Sequence, residues 1–462
     1  MDERADHGGA VRPSSDAARH HASQPPPTRW HGARCRHGQP AGAGADSAAL
    51  SDAASAAARI TTLDATRGVA VIGILLMNII SFSMPAPAYF NPMSWGGTSA
   101  ADMAAYLLSA IFVDSKMRAL FSLLFGASMV LVIDRASAKG ENGGKVHFLR
   151  MVTLLLIGLA HLYLLWQGDI LTLYAMCGMV AFLFIDKAPR TLLWIALALF
   201  GLGLFLWLGL AVPLLTMGHM VDQGSLPATM QQDWEDMLPI IGGSADAIAQ
   251  EVTAMRGNYG TVFAYRAEWL VAPLAQFMLY GPETIALMLV GAAMQRSGFF
   301  SGGWTPMQLS KLGWGLGAPS LLMLGLLHLW LWQAGFPAVA TFLVAVWVSA
   351  PFDYMLAIAY AAIIVLLVSR HSQSALVQRL AATGRAAFSN YLGTTIVMTT
   401  LFYGYGLGLF GTIARAPVYL FVVGAAILML LWSKPWLDRF QYGPMEWLWR
   451  SMARGSLQPL RR

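Results

Sequence analysis

The chain has 462 residues, of which 56% are hydrophobic and only 12% charged, with 16 tryptophans and a formal net charge of +6. Soluble domains carry roughly 25% charged residues, so this composition excludes an ordinary soluble enzyme and selects a polytopic membrane protein. The positive balance does not single out nucleic acid as a partner, because the basic residues are scattered between apolar runs rather than gathered on one module.

Residues 1–58, with "SQPPPTRWHGARCRHGQPAGAGADSAAL" as the core of the tract, have no apolar period and read as a disordered cytoplasmic tail. From Arg59, runs long enough to cross about 30 Å of hydrocarbon alternate with short polar breaks. They predict spans near 68–86, 117–134, 148–166, 170–186, 191–214, 278–296, 312–333, 350–369, 386–404 and 416–433. The expected fold class is therefore all-α, a transmembrane helix bundle of about ten spans. It divides into an N-terminal half over 59–214, an outer loop over 215–265 and a C-terminal half over 266–455. The apolar stretch before the second span ends in charges and reads as interfacial or re-entrant. Pro351 and Asp353 split the long apolar run over 337–369. With both termini inside, 25 of the 30 Lys and Arg residues fall on the inner side, as the positive-inside bias requires. Cys35 in the tail and Cys177 in an apolar run lie in different compartments or depths, so no disulfide is expected.

Polar residues inside the slab each need a reason, since a charge there costs at least about 2.5 kcal/mol. In "LDATRGVAVIGILLMNI", Arg67 and Asn78 lie eleven residues apart, close to three turns, and Asp64 sits one turn before Arg67. All three share one stripe. Asp64 reads as a helix cap or as the partner of Arg67, and Arg67 as a snorkelling anchor or a grip for an anion. Asn78 reads as interhelical glue or as a site residue near the midplane. Asp114, Lys116 and Arg118 form an acid–base cluster suited either to anchoring or to an anionic group.

His161 precedes the break at "WQGD" by just over a turn and Asp169 opens the next span, so the pair reads as a general base steered by a carboxylate, or as a capped histidine and an N-cap. Glu283, after Pro282, has the position of a helix cap. His328 has the setting of a core or interface residue among tryptophans. Asn390 can share a face with Thr394, with Arg385 at the inner end, again as glue or site. No His- or Cys-rich metal spacing exists, and no cofactor is identified.

The segments "RITTLDATRGVAVIGILLMNI", "MRALFSLLFGASMVL", "GLAHLYLLWQGDILTLYA", "GRAAFSNYL", "FYGYGLGLFG" and "RFQYGPMEWLWRSM", taken in order, resemble the YeiB-like family of bacterial inner-membrane proteins over nearly all of residues 59–455. The C-terminal half of that family is a domain of unknown function, and the resemblance implies a multi-pass protein of the bacterial inner membrane. The opening motif also resembles the start of membrane-embedded acyltransferases, among them the lysosomal heparan glucosaminide acetyltransferase and bacterial glycan acylating enzymes. In the glycan-acylating branch a histidine stands where this chain has Asn78, whereas the heparan-type branch has an asparagine. That resemblance implies an acyl donor, with acyl-CoA as a candidate, and a glycan or lipid acceptor. On chemical grounds Arg67 would meet the donor, Asn78 would orient it, and His161 with Asp169 would activate a hydroxyl. The alternatives are a small-molecule transporter and a non-catalytic membrane assembly protein.

Overall fold

Helices begin where the sequence supplies caps. Asn142, Asn258 and Ser374 accept the N–H three residues on, Thr305 and Gln308 form a capping box, and Pro87, Pro189, Pro306 and Pro444 stand in first turns. The computed structural model describes residues 43–241, 244–268 and 272–462, with side chains from Thr61. Residues 1–42, which hold most of the tail expected to be disordered, and Cys35 with them, lie outside the described residues.

In chain order the helices are α1 (Ala43–Ser83), α2 (Pro87–Phe90), α3 (Ala100–Phe112), α4 (Lys116–Ala138), α5 (Gly143–Ala160), α6 (Leu171–Phe182) and α7 (Pro189–Asp222). Next come α8 (Ala228–Ile241), α9 (Ala245–Arg256), α10 (Tyr259–Ala267), α11 (Ala272–Arg296) and α12 (Pro306–Gln333). The chain ends with α13 (Ala338–Leu343), α14 (Ala350–Arg370), α15 (Ala375–Arg385), α16 (Ala387–Phe402), α17 (Arg415–Arg439) and α18 (Pro444–Arg454). Among the described residues the only extended pairing is an isolated bridge between Phe440 and Arg461.

Among the described residues eight stretches are long and apolar enough to cross a membrane, and they coincide with eight of the ten expected spans. The other two are shorter. Helix α6 has 12 residues, about 18 Å at 1.5 Å per residue, and α16 has 16, about 24 Å, so neither alone matches a 30 Å core. The apolar segment before α4 is helix α3, which packs against α12 and α17 and continues into α4 through a break at Ser115, where φ is +61°. The described residues of the loop over 215–265 are largely helical, holding the end of α7 and α8 to α10. A π-helical stretch, Val344–Val348, precedes Pro351 and Asp353.

Helix α11 packs closely on α4 and α7. Gly126 and Gly291 permit the first contact, because a Cβ on either would collide with backbone of the other helix, at Met288 and Leu123 respectively. Lipid-facing surfaces stay apolar, as with Phe205, Leu322 and Leu420.

Candidate functional site

Asp64 and Arg67 of the marked stripe of α1 line a cavity of about 720 Å³, whereas Asn78 does not. Because α1 extends back to Ala43, Asp64 lies inside the helix and is not its N-cap. Its Oδ1 accepts from Arg67 Nη1 at 2.8 Å, and Arg67 Nη2 donates to Ser128 Oγ on α4 at 2.7 Å. Helix α15 presses on this turn through two glycines: a Cβ on Gly384 would strike the Asp64 carbonyl, and one on Gly68 the Leu380 carbonyl. That contact brings Arg385 to the cavity wall.

The lining changes character along each helix. Asp64 and Arg67 on α1, Arg135 on α4 and His147 and Arg150 on α5 give way to Val71 and Ile74, to Leu124 and Phe121, and to Leu154. One end is basic and the interior is apolar. Helix α18 completes the basic end with Glu446, Trp449 and Arg450. Trp449 Nε1 donates to the Arg150 carbonyl at 2.9 Å while the Arg150 guanidinium lies 4.2 Å over the Trp449 ring. Glu446 accepts from the Phe388 and Ser389 N–H groups at 2.7 and 3.1 Å and so caps α16. Burial raises its carboxyl above the usual range.

A buried histidine–carboxylate pair stands outside the lining of this cavity, next to the lining residue Tyr391. Helix α5 ends in a π-helical turn, His161–Leu165, that carries His161; such turns recur at functional sites. His161 Nδ1 is 2.8 Å from Asp169 Oδ1, and Asp169 Oδ2 accepts the Thr172 N–H at 2.7 Å. His161 Nε2 is 3.1 Å from Thr395 Oγ1 on α16. In the tautomer whose Nδ1–H is directed at Asp169, Nε2 is an acceptor, and the Thr395 hydroxyl beside it also donates to the Tyr391 carbonyl at 3.2 Å. A second void, about 10 Å³ and so the size of one water, is lined by Asn78, Thr394 and Thr395. Val71, Ile74 and Tyr391 line both spaces, and the Tyr391 ring lies 5.3 Å from that of His161. The stripe of α1 therefore runs from the basic end, at Asp64 and Arg67, to the void beside Thr395, at Asn78.

The remaining candidates lie away from this cavity. Lys116 pairs with Asp353 at 2.7 Å, both almost fully buried. Arg118 pairs with Glu283 at 2.9 Å and donates to Tyr354. Glu283 sits in the middle of α11, not at a helix start, so its role is that ion pair and not a cap. Asn390 donates to the Thr383 carbonyl and Ser433 and accepts from Trp432 Nε1, which ties α15, α16 and α17 together. His328 bonds the Leu324 carbonyl in its own helix. Among the described residues no group of three or more His, Cys, Asp or Glu side chains is placed to hold a metal ion.

Sequence reasoning did not assign Arg135, Arg150, Tyr391, Thr395, Glu446 or Arg450 to a site, although several of them lie in the segments that carry the family resemblance. "LFSLLFGASM" supplies Phe121, Phe125 and Ser128, "GRAAFSNYL" supplies Arg385 and Tyr391, and "RFQYGPMEWLWRSM" supplies Glu446, Trp449 and Arg450. These segments converge on one cavity.

Comparison with known proteins agrees in extent. Residues 294–456 match the family described as Protein of unknown function (DUF418). The uncharacterized protein YxaH of Bacillus subtilis (strain 168) is 32% identical over 415 residues, covering 87% of this chain and 96% of that protein. The uncharacterized protein YeiB of Escherichia coli (strain K12) is 31% identical over 426 residues, covering 87% and 98%. An uncharacterized 39.9 kDa protein of Bacillus acidopullulyticus is 26% identical over 419 residues. No solved structure matches the chain.

Proposed function

The chain belongs to the YeiB-like family of membrane proteins, and from the geometry of its own residues we propose that it is an acyltransferase-like enzyme of the bacterial inner membrane. In this reading its basic end faces the cytoplasm. It takes an acyl group from an activated thioester donor and passes it to a hydroxyl of a glycan or lipid. The observation that supports the reading is the buried His161–Asp169 pair, its Nε2 beside a hydroxyl, packed against Tyr391, which lines a cavity whose one end is basic.

Arg67 meets the donor's anionic part, the apolar interior takes the arm that carries the thioester, and Asn78 orients the thioester carbonyl. The acceptor hydroxyl takes the place of the Thr395 hydroxyl at His161 Nε2. Its oxygen bonds to the acyl carbon, and the carbon–sulfur bond breaks. The proton passes to Nε2 and then to the departing thiolate, which restores neutral His161; Asp169 holds the ring in the tautomer this requires.

The test is transfer of a radiolabelled acyl group from a thioester to extracted membrane glycolipid by the protein in nanodiscs. His161→Ala is expected to lower the rate by about a hundredfold or more. Transfer unaffected by His161→Ala overturns the assignment, and gradient-coupled uptake without donor turnover would identify a transporter instead.

A further inference from the structure

Five arginines line the basic end of the cavity, and four of them, Arg135, Arg150, Arg385 and Arg450, have no carboxylate within 4.0 Å among the described residues. Only Arg67 has one, in Asp64. The other acid on the wall, Glu446, is committed to the backbone of α16. Arg150 and Arg450 are held instead by the faces of Trp449 and Tyr442, at 4.2 and 4.4 Å, and Arg450 Nε is buried without a partner. Four cations sharing one wall repel one another unless a counter-charge enters the space.

We propose that this end of the cavity binds the head of an amphiphile that carries two or more phosphate groups, with its chain along Val71, Leu124, Phe125 and Leu154. The inference rests on the cavity being the donor site of the proposed function. A fatty carboxylate supplies one negative charge and leaves three guanidinium groups unmatched, whereas a head with two or more phosphates supplies about two to four. Guanidinium forks also chelate phosphate oxygens in pairs. The same head chemistry has two sources, a soluble nucleotide-bearing thioester or a polyprenyl diphosphate of the bilayer.

The experiment measures thermal stabilisation of the full chain in phosphatidylcholine nanodiscs. The probes are palmitoyl-CoA, farnesyl diphosphate, lysophosphatidylcholine and inorganic pyrophosphate. Saturable stabilisation is expected with one or both phosphate amphiphiles, and pyrophosphate is expected to compete weakly. Stabilisation by palmitoyl-CoA alone identifies the soluble source, and by farnesyl diphosphate alone the membrane source. Arg385→Gln and Arg450→Gln should each weaken binding by about tenfold, the loss of a charge-assisted contact, and His161→Asn should bind as the wild type does. Equal stabilisation by lysophosphatidylcholine, affinity unchanged in both arginine variants, or no stabilisation by either phosphate amphiphile overturns the proposal. If the arginine variants do not fold, wild-type affinity across a salt series decides, with a fall expected and a flat response overturning it. Arginine-dependent binding without acyl transfer to any acceptor would remove the proposed reaction and leave this site standing.

Discussion

Replacing Arg67 by Lys keeps a positive charge beside Asp64 but removes the second arm of the guanidinium, the one that donates to Ser128. An anchor needs only the charge, whereas a grip on a phosphate needs the planar fork. Asn78→Leu makes the complementary change, because it fills the one-water void beside Thr394 and Thr395 with hydrocarbon. As interhelical glue that amide is worth only about 0.6 to 2 kcal/mol. Both variants are expected to insert and to melt within a few degrees of the wild type, while acyl transfer falls by about tenfold or more as an orienting contact is lost. Melting curves in detergent, read beside transfer rates, check this. Full activity in both variants would return the stripe of α1 to anchor and glue.

Among the elements, α9 shows how a short helix of the loop over 215–265 is fastened to the bundle. Its Glu251 accepts the Ala86 N–H, between α1 and α2, at 2.9 Å. Burial pushes that carboxyl up to about 7. For an acid whose folded pKa is raised, the contribution to stability is present below the unfolded value, near 4.5, and is lost as pH rises through about 7. Glu251→Gln keeps an oxygen for the Ala86 N–H and never ionises. It should therefore match the wild type below about pH 4.5 and exceed it above pH 7, by about 3 kcal/mol at pH 8. Melting temperature across pH 4.5–8.5 tests the sign, and a difference independent of pH would show that Glu251 does not titrate in this range. That helix was not legible as sequence, because amphipathic segments of 9 to 14 residues in an acidic stretch carry no membrane signal. The long spans were legible, since an apolar run of membrane length admits few alternatives. Helix α6 lies between these cases: the apolar run continues through Phe184 and Ile185, but the backbone leaves the helix in successive turns after Phe182. Length in sequence and length in helix differ there.

At the scale of the molecule, the basic residues that set the positive-inside count also build the cavity's charged end. Arg67, Arg135, Arg150, Arg385 and Arg450 are separated by up to 383 residues, so spacing could reveal their common charge but not their convergence. The His161–Asp169 pair was legible because both residues lie within one hairpin, whereas its third member, Thr395, comes from a helix 234 residues away. This double use of arginine links orientation to mechanism. If the basic end faces the cytoplasm, a donor made there reaches Arg67 and its neighbours directly, and its thioester end points toward the buried histidine. Single cysteines at Asn142 and Ala375, the cap of α5 and the start of α15, should therefore react with a membrane-impermeant maleimide only in inverted vesicles. One at Asp233 on α8 should react only in intact cells. The comparison requires a background with Cys35 and Cys177 replaced. Labelling of residue 142 or 375 from outside intact cells would reverse the orientation, put the arginine end away from cytoplasmic donors, and leave the proposed direction of transfer without support.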